Sequence, residues 1–131
     1  MSLEVIILAA GQGTRMRSEK PKVLHPLAGK PMLVHTIEQA QRLQPGQTHI
    51  VVGHQAHQVE AVVASLGVKC VLQAQQLGTG HAVAQAMPAI NNDAIVLVLY
   101  GDVPLVPAAL MQKLTEQAAQ GKLALLTVNL N

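Results

Sequence analysis

Short apolar runs alternate with helical spacings from one end of the chain to the other. Residues 3–9 form an apolar run without polar alternation, which predicts a strand buried on both faces. Residues 11–21 are rich in small and polar types and predict a loop. Residues 22–27 are short and ambiguous. Pro31 opens a helical spacing that continues to about Leu43, with Met32, Leu33, His35, Thr36 and Ile37 near its front. Proline suits a first helical turn, and Pro45 with Gly46 ends the pattern.

Residues 48–52 predict a second strand. Residues 53–55 turn into a helix that runs to about Leu66, with Val59, Val62 and Val63 on one side and Gly67 as its stop. Residues 68–72 predict a third strand and 73–78 a polar loop. Thr79 can cap a helix that reaches Met87 and stops at Pro88. Residues 94–100 are the most apolar segment and predict a fourth strand, followed by a tight loop at 101–104. Residues 107–120 predict a helix with Leu110, Met111 and Leu114 inward, closed by Gly121. Residues 123–128 predict a fifth strand, with nothing after it to cover a sheet edge.

Strands separated by helices of about 10–15 residues predict βαβ units and a parallel sheet flanked by helices, a Rossmann-like α/β fold. Crossovers are expected to be right-handed. Ligands in such sheets bind beyond the carboxyl ends of the strands. Three glycine-bearing polar loops follow strands here, at 9–21, 73–78 and 101–104, and all three are expected on one side. That convergence says more than any one of them.

Composition narrows the class. The chain has 131 residues, half of them hydrophobic and only 12% charged, which suits one buried, sheet-rich domain rather than a disordered chain. Phe and Trp are absent and there is one Tyr, so the core must come from Val, Leu, Ile, Ala and Met. The net charge of +2 is modest, and Lys and Arg form no stripe. With no aromatic platform for bases, nucleic acid is not expected as a partner. No apolar run is long enough to span a bilayer and no leader is evident, so a soluble cytoplasmic protein is the expectation. Cys70 is the one cysteine, so no disulfide can form within the chain; its place in an apolar run predicts a buried strand thiol.

The stretch Leu8, Ala9, Ala10, Gly11, Gln12, Gly13, Thr14, Arg15, Met16 carries the most chemistry. Small residues let the backbone approach a ligand closely. Its amides can bind phosphate oxygens, and Arg15 and Lys22 supply charge-assisted contacts. The dinucleotide fingerprint needs a small residue where Met16 stands, and no P-loop run exists. Alone, the stretch reads equally well as a turn with two solvated cations. Asp102, just past the fourth strand, is at the usual place for a carboxylate holding Mg²⁺. Alone it reads more readily as a turn Asp bonded to its own backbone, and beside a phosphate loop the metal reading gains. Gln73 and its neighbours to His81 present donors and acceptors suited to a base edge, or a polar loop that caps a helix. Of the six histidines, His54 and His57 are the only close pair; with no cysteine near, zinc is not expected. His35 is expected half-buried or interfacial.

Residues 8–16 with Pro21, Lys22, Val23 and Leu24 resemble the first motif of sugar-phosphate nucleotidyltransferases. Leu-Gly-Thr-Gly-His-Ala at 77–82 and Leu-Tyr-Gly-Asp-Val-Pro-Leu at 99–105 are more specific. Together the motifs resemble those of the bacterial bifunctional N-acetylglucosamine-1-phosphate uridylyltransferase/glucosamine-1-phosphate acetyltransferases, in order along nearly the whole chain. The resemblance implies a nucleotide-diphospho-sugar transferase fold. It implies a Mg²⁺-dependent reaction in which UTP and N-acetylglucosamine 1-phosphate give UDP-N-acetylglucosamine and pyrophosphate. The product feeds peptidoglycan and lipopolysaccharide synthesis.

By position, the resemblance implies that Leu8, Ala9, Ala10 and Gly11 line the uridine site. Arg15 would stabilise phosphoryl charge and Lys22 would hold a phosphate. Gln73, Gly78 and Thr79 would read uracil, Tyr100 and Gly101 would border the sugar, and Asp102 would bind Mg²⁺. The family's uridylyltransferase domain continues past residue 131, with most other sugar-binding residues and a second Mg²⁺ ligand, an Asn. A left-handed β-helix for acetyl transfer and trimerisation follows in the family. On this resemblance residues 1–131 are the amino-terminal portion of the nucleotidyltransferase domain, expected to bind UTP weakly and turn over little. The alternatives are a CTP- or GTP-dependent nucleotidyltransferase, a non-enzymatic nucleotide-binding module, and a plain structural α/β domain.

Overall fold

The computed structural model describes residues 3–9, 22–53, 56–73, 79–86, 88, 90, 95–101, 109 and 125–128. Five described strands form one parallel sheet: β1 (Leu3–Leu8), β4 (Gln47–Val52), β5 (Lys69–Leu72), β6 (Ile95–Tyr100) and β7 (Leu125–Val128). Their order is β5-β4-β1-β6-β7, with β1 at the centre. The registers place Ile7 opposite Ile50 on one side and Leu99 on the other. The intervening residues include three α-helices: α1 (Met32–Gln41), α2 (Ala56–Val63) and α3 (Thr79–Ala86).

The unbroken apolar run of β1 is explained by burial on both faces. Val5, Ile7 and Ala9 pack with Leu33, Ile37 and Ala40 of α1 and with Val59 and Val63 of α2. The alternate residues Ile6 and Leu8 pack with Ala82 and Ala86 of α3. Successive strand residues point to opposite faces, so a strand with a core on each side needs an apolar residue at every position. The α/β/α arrangement therefore matches the fold expected from sequence.

Between β1 and α1 lies a feature the sequence left ambiguous. Residues Lys22–Leu24 form one 3-10 turn. Strands β2 (Pro26–Leu27) and β3 (Lys30–Pro31) then form a minimal hairpin. Its turn residues Ala28 and Gly29 both have positive φ, at 53° and 83°, as a tight primed turn requires. Pro31 caps α1 without a side-chain bond, and His25 instead satisfies the helix start: its carbonyl accepts from the Met32 amide at 3.0 Å. Two more ties hold the hairpin to α1. His35 Nε2 donates to the Leu27 carbonyl, 2.6 Å away, and Lys30 Nζ lies 2.9 Å from Glu38 Oε1. His35 is thus half-buried, as expected.

α1 ends earlier than the sequence spacing suggested. Arg42 and Leu43 form a tightened last turn, and Gln44 has a φ of 52°. Pro45 disfavours the right-handed helical region for the residue before it, and Gln44 takes a positive φ instead. α2 likewise stops at Val63, and Gly67 turns the chain at a φ of 72°. The predicted helix at 107–120 lies outside the described residues except for Ala109, which is helical.

One expectation is corrected. Cys70 is in a strand, as predicted, but it is exposed rather than buried. β5 pairs with β4 and stands at the edge of the sheet among the described strands, and its residues run exposed, exposed, intermediate, exposed. Local apolarity does not reveal strand order, and only a central strand buries both faces. Partial desolvation and the nearby Glu60 carboxylate raise the thiol above its ordinary pKa, which disfavours the reactive thiolate.

Candidate functional site at the carboxyl edge of the sheet

Three backbone hydrogen bonds carry the sheet one residue past its strands. The Ala9 amide donates to the Val51 carbonyl at 2.8 Å, Gly101 to Leu8 at 3.0 Å, and Gln73 to Val52 at 2.7 Å. In parallel neighbours these ends all lie on one edge. The segments that follow Ala9, Gln73 and Gly101 are the three loops singled out by sequence. Leu8 and Ala9 are buried, Tyr100 is half-buried and pairs in register with Leu8, and Gly101 is buried.

Gly101 is where strand, loop and 3-10 turn meet. A Cβ there would stand 3.1 Å from Val23 Cγ1 and 3.2 Å from both Leu33 Cδ1 and the Leu8 carbonyl oxygen. A glycine is required by this close approach. Val23 is buried against the same point, so the backbone of its neighbour Lys22, first residue of the turn, is held beside the carboxyl edge. Thr79 is the first residue of α3. Ala10, Gly11, Arg15, Gly78 and Asp102 lie outside the described residues, as does His54 of the histidine pair. Among the described residues there is no group of three or more His, Cys, Asp or Glu that could hold a metal.

Gln73 is 3% exposed, and its amide Nε2 lies 2.9 Å from His81 Nδ1. A buried amide must be hydrogen-bonded to be tolerated, and His81 supplies that partner. Gln85, one turn along α3, donates through Nε2 to the His81 carbonyl oxygen at 3.3 Å. His81 lies within the motif at 77–82, where its sequence context alone assigns it no role. The available signal was a ring placed near the start of a helix that follows a buried amide.

A second polar pair was missed altogether. His49 Nε2 lies 2.9 Å from Glu4 Oε1, with His49 1% exposed. Glu4, near the amino end of β1, is remote from the carboxyl edge, so this pair belongs to the sheet's opposite end. His49 Nδ1 has no partner among the described residues. The pairing depends on β1–β4 register, which places His49 opposite Ile6, two residues along from Glu4. Local sequence does not carry that register.

Comparison with known proteins places these features in context. Bifunctional protein GlmU of Pseudomonas aeruginosa is 58% identical over 99% of this chain. The chain spans 28% of that relative's length. A nucleotidyl transferase from Methanothermobacter thermautotroptrophicus has a TM-score of 0.79 at 25% identity, covering 88% of this chain and 57% of its own. A Mycobacterium tuberculosis protein in complex with manganese shares the fold, with a TM-score of 0.77 at 22% identity over 92% of this chain and 61% of its own. The family described as MobA-like NTP transferase domain matches residues 5–129. With that match running through β1, the carboxyl-edge loops and β7, the chain belongs to the MobA-like NTP transferase domain family.

Proposed function

We propose that residues 1–131 carry the nucleotide half of a uridylyltransferase site. In the longer protein, UTP and N-acetylglucosamine 1-phosphate would give UDP-N-acetylglucosamine and pyrophosphate. The observation that supports this best is the meeting of Ala9, Gln73 and Gly101 at one edge through the three backbone bonds. Each begins a loop whose residues suit a different part of a nucleoside triphosphate. The 58% identity to a GlmU relative over nearly the whole chain favours this substrate pair within the family.

Roles follow from chemistry and resemblance together. Leu8, Ala9, Ala10 and Gly11 line the uridine side, where small residues admit close backbone approach. Arg15 and Lys22 hold phosphate oxygens and offset the charge that develops as the α-phosphoryl group is transferred. Gln73, Gly78 and Thr79 face the base, and Tyr100 and Gly101 border the sugar side. Asp102, next in the chain after the anchored Gly101, is the carboxylate that the resemblance assigns to the metal. That donor set fits Mg²⁺, which takes one or two protein carboxylates and otherwise phosphate oxygens and water. When bound, Mg²⁺ supplies charge neutralisation at the pyrophosphate. The longer protein would complete the sugar pocket and the metal site, acetylate glucosamine 1-phosphate through a separate domain, and trimerise there. A cytoplasmic location fits these soluble substrates.

Calorimetric titration of the chain with UTP tests the reading. UTP binds weakly, and Mg²⁺ tightens it in the native chain but not in Asp102→Asn. Pyrophosphate release with N-acetylglucosamine 1-phosphate is slight. Tighter binding of CTP or GTP than of UTP would replace uridylyl transfer with another nucleotidyl transfer. Unchanged affinity on adding Mg²⁺ would point to a nucleotide-binding module, and robust turnover would overturn the half-site reading.

A further inference from the structure

Resting on the phosphate and metal roles proposed for Lys22 and Asp102, we infer that Val23 is a positioning residue that couples the two, so that the triphosphate and Mg²⁺ bind as one unit. Val23 and Gly101 are far apart in sequence and meet at the carboxyl edge. A Cβ on Gly101 would stand 3.1 Å from Val23 Cγ1, so the valine methyl fills the space that a side chain at 101 would take. Lys22 precedes Val23 and Asp102 follows Gly101. Chain neighbours lie about 3.8 Å apart at their α-carbons. One apolar contact therefore sets how far apart the cation and the carboxylate leave the backbone.

Both sides of that contact are fixed. The Gly101 amide is bonded to the Leu8 carbonyl of β1 at 3.0 Å. Val23 is buried in the same core as Leu33, whose Cδ1 also crowds Gly101. Past the other end of the 3-10 turn, the His25 carbonyl accepts from the Met32 amide at the start of α1. The turn that carries Lys22 is thus held at Gly101 and again at α1.

Separation matters here because the two cations act on one polyanion. An ammonium and a divalent ion support each other only while phosphate oxygens lie between them. A displaced ammonium loses its oxygen or comes to repel the metal. Small displacements of a binding group are costly for the same reason, and a group on a packed turn is placed better than one on a free loop. Coupling of this kind is reciprocal: Mg²⁺ tightens UTP by the factor by which UTP tightens Mg²⁺.

The test compares dissociation constants for UTP with and without Mg²⁺; their ratio is the coupling. In Val23→Ala the turn is free to shift, and the ratio falls about fivefold or more. Val63→Ala removes the same atoms from the same core, at the end of α2 that leads into the first residues of β5, and keeps the native ratio. Val23→Thr keeps the shape of the contact at a cost in stability, and keeps the ratio too. Lys22→Met lowers the ratio as Val23→Ala does. A native ratio in Val23→Ala, or an equal fall in Val63→Ala or Val23→Thr, would overturn the role of Val23. A native ratio in Lys22→Met, with loss in Asp102→Asn, would overturn the coupling and leave the metal reading standing. No effect of Mg²⁺ on the native chain would overturn that reading and this inference with it. Carbon-13 methyl resonances in the native chain give a second measure that needs no variant. Those of Val23 move when Mg²⁺ is added to the UTP-bound chain while those of Val63 stay, and unmoved Val23 resonances would overturn the inference.

Discussion

Gly101 shows how a single residue can link fold to site. Its amide is bonded to Leu8 and its α-carbon is closed in by Val23, Leu33 and the Leu8 oxygen. Its φ is not in the left-handed region, so backbone strain is not the reason for glycine. Crowding is. In Gly101→Ala the new methyl must push on Val23, on Leu33 or on the oxygen that accepts the Gly101 amide. Overpacking of this kind costs about 1–3 kcal/mol, read as a lower urea midpoint with unchanged slope. Because Val23 adjoins Lys22 and Leu8 adjoins Ala9, nucleotide affinity falls as well. A loss under about 0.5 kcal/mol would show that the 3-10 turn yields freely. Gly101 was legible in sequence as a loop glycine past a strand, whereas its reason was not, since Val23 and Leu33 reach it only in the fold. The same holds for His81 and for Glu4 with His49, whose partners are fixed by register and helix placement.

At the scale of elements, legibility followed burial. β1, β4 and β6 are buried on both faces or nearly so, and their apolar runs announced them within a residue or so of their ends. The β2–β3 hairpin was hidden because its strands are two residues each and its turn, Ala28-Gly29, lacks the Asn or Asp that usually marks one. Cys70 was misplaced for a related reason: nothing local tells an edge strand from a central one. The hairpin relies on its ties to α1, and one of these titrates. The hydrogen bond from Lys30 is the main cause holding the Glu38 carboxyl below its ordinary pKa; desolvation opposes it, and the charges of Lys30, His35 and Arg42 assist. A carboxyl with a lowered folded-state pKa adds stability above its unfolded pKa, and that stability is lost as pH falls through the folded value. Both groups are about half exposed, so the pair contributes under about 1 kcal/mol and is weakened by salt. In urea unfolding at neutral pH, Glu38→Gln is slightly less stable than the native chain, and the difference vanishes once acid has protonated Glu38. A difference that persisted in acid would mean that packing of the side-chain stem, not the ion pair, ties the hairpin to the helix.

For the whole molecule, the central strand joins two cores to one edge. The α1–α2 core and the α3 core both close on β1, and the loops proposed to hold nucleotide leave from the carboxyl ends of β1, β5 and β6. A ligand seated there contacts segments from three strands, so its binding energy opposes unfolding of the sheet as a unit. Linkage gives the size: a ligand that binds only the folded chain adds about 2.7 kcal/mol at a hundredfold excess over its Kd. For a domain of this length that is a rise of several degrees in Tm. UTP with Mg²⁺ therefore raises the melting temperature of the native chain, increasingly with concentration. Arg15→Ala leaves the ligand-free Tm within a degree or two. It also shrinks the UTP-dependent rise, because one charge-assisted phosphate contact is gone. An equal rise in Arg15→Ala would remove Arg15 from the phosphate site. A rise that was the same for UTP and for inorganic pyrophosphate would mean that the phosphates alone hold the ligand, leaving Gln73 without a base to read.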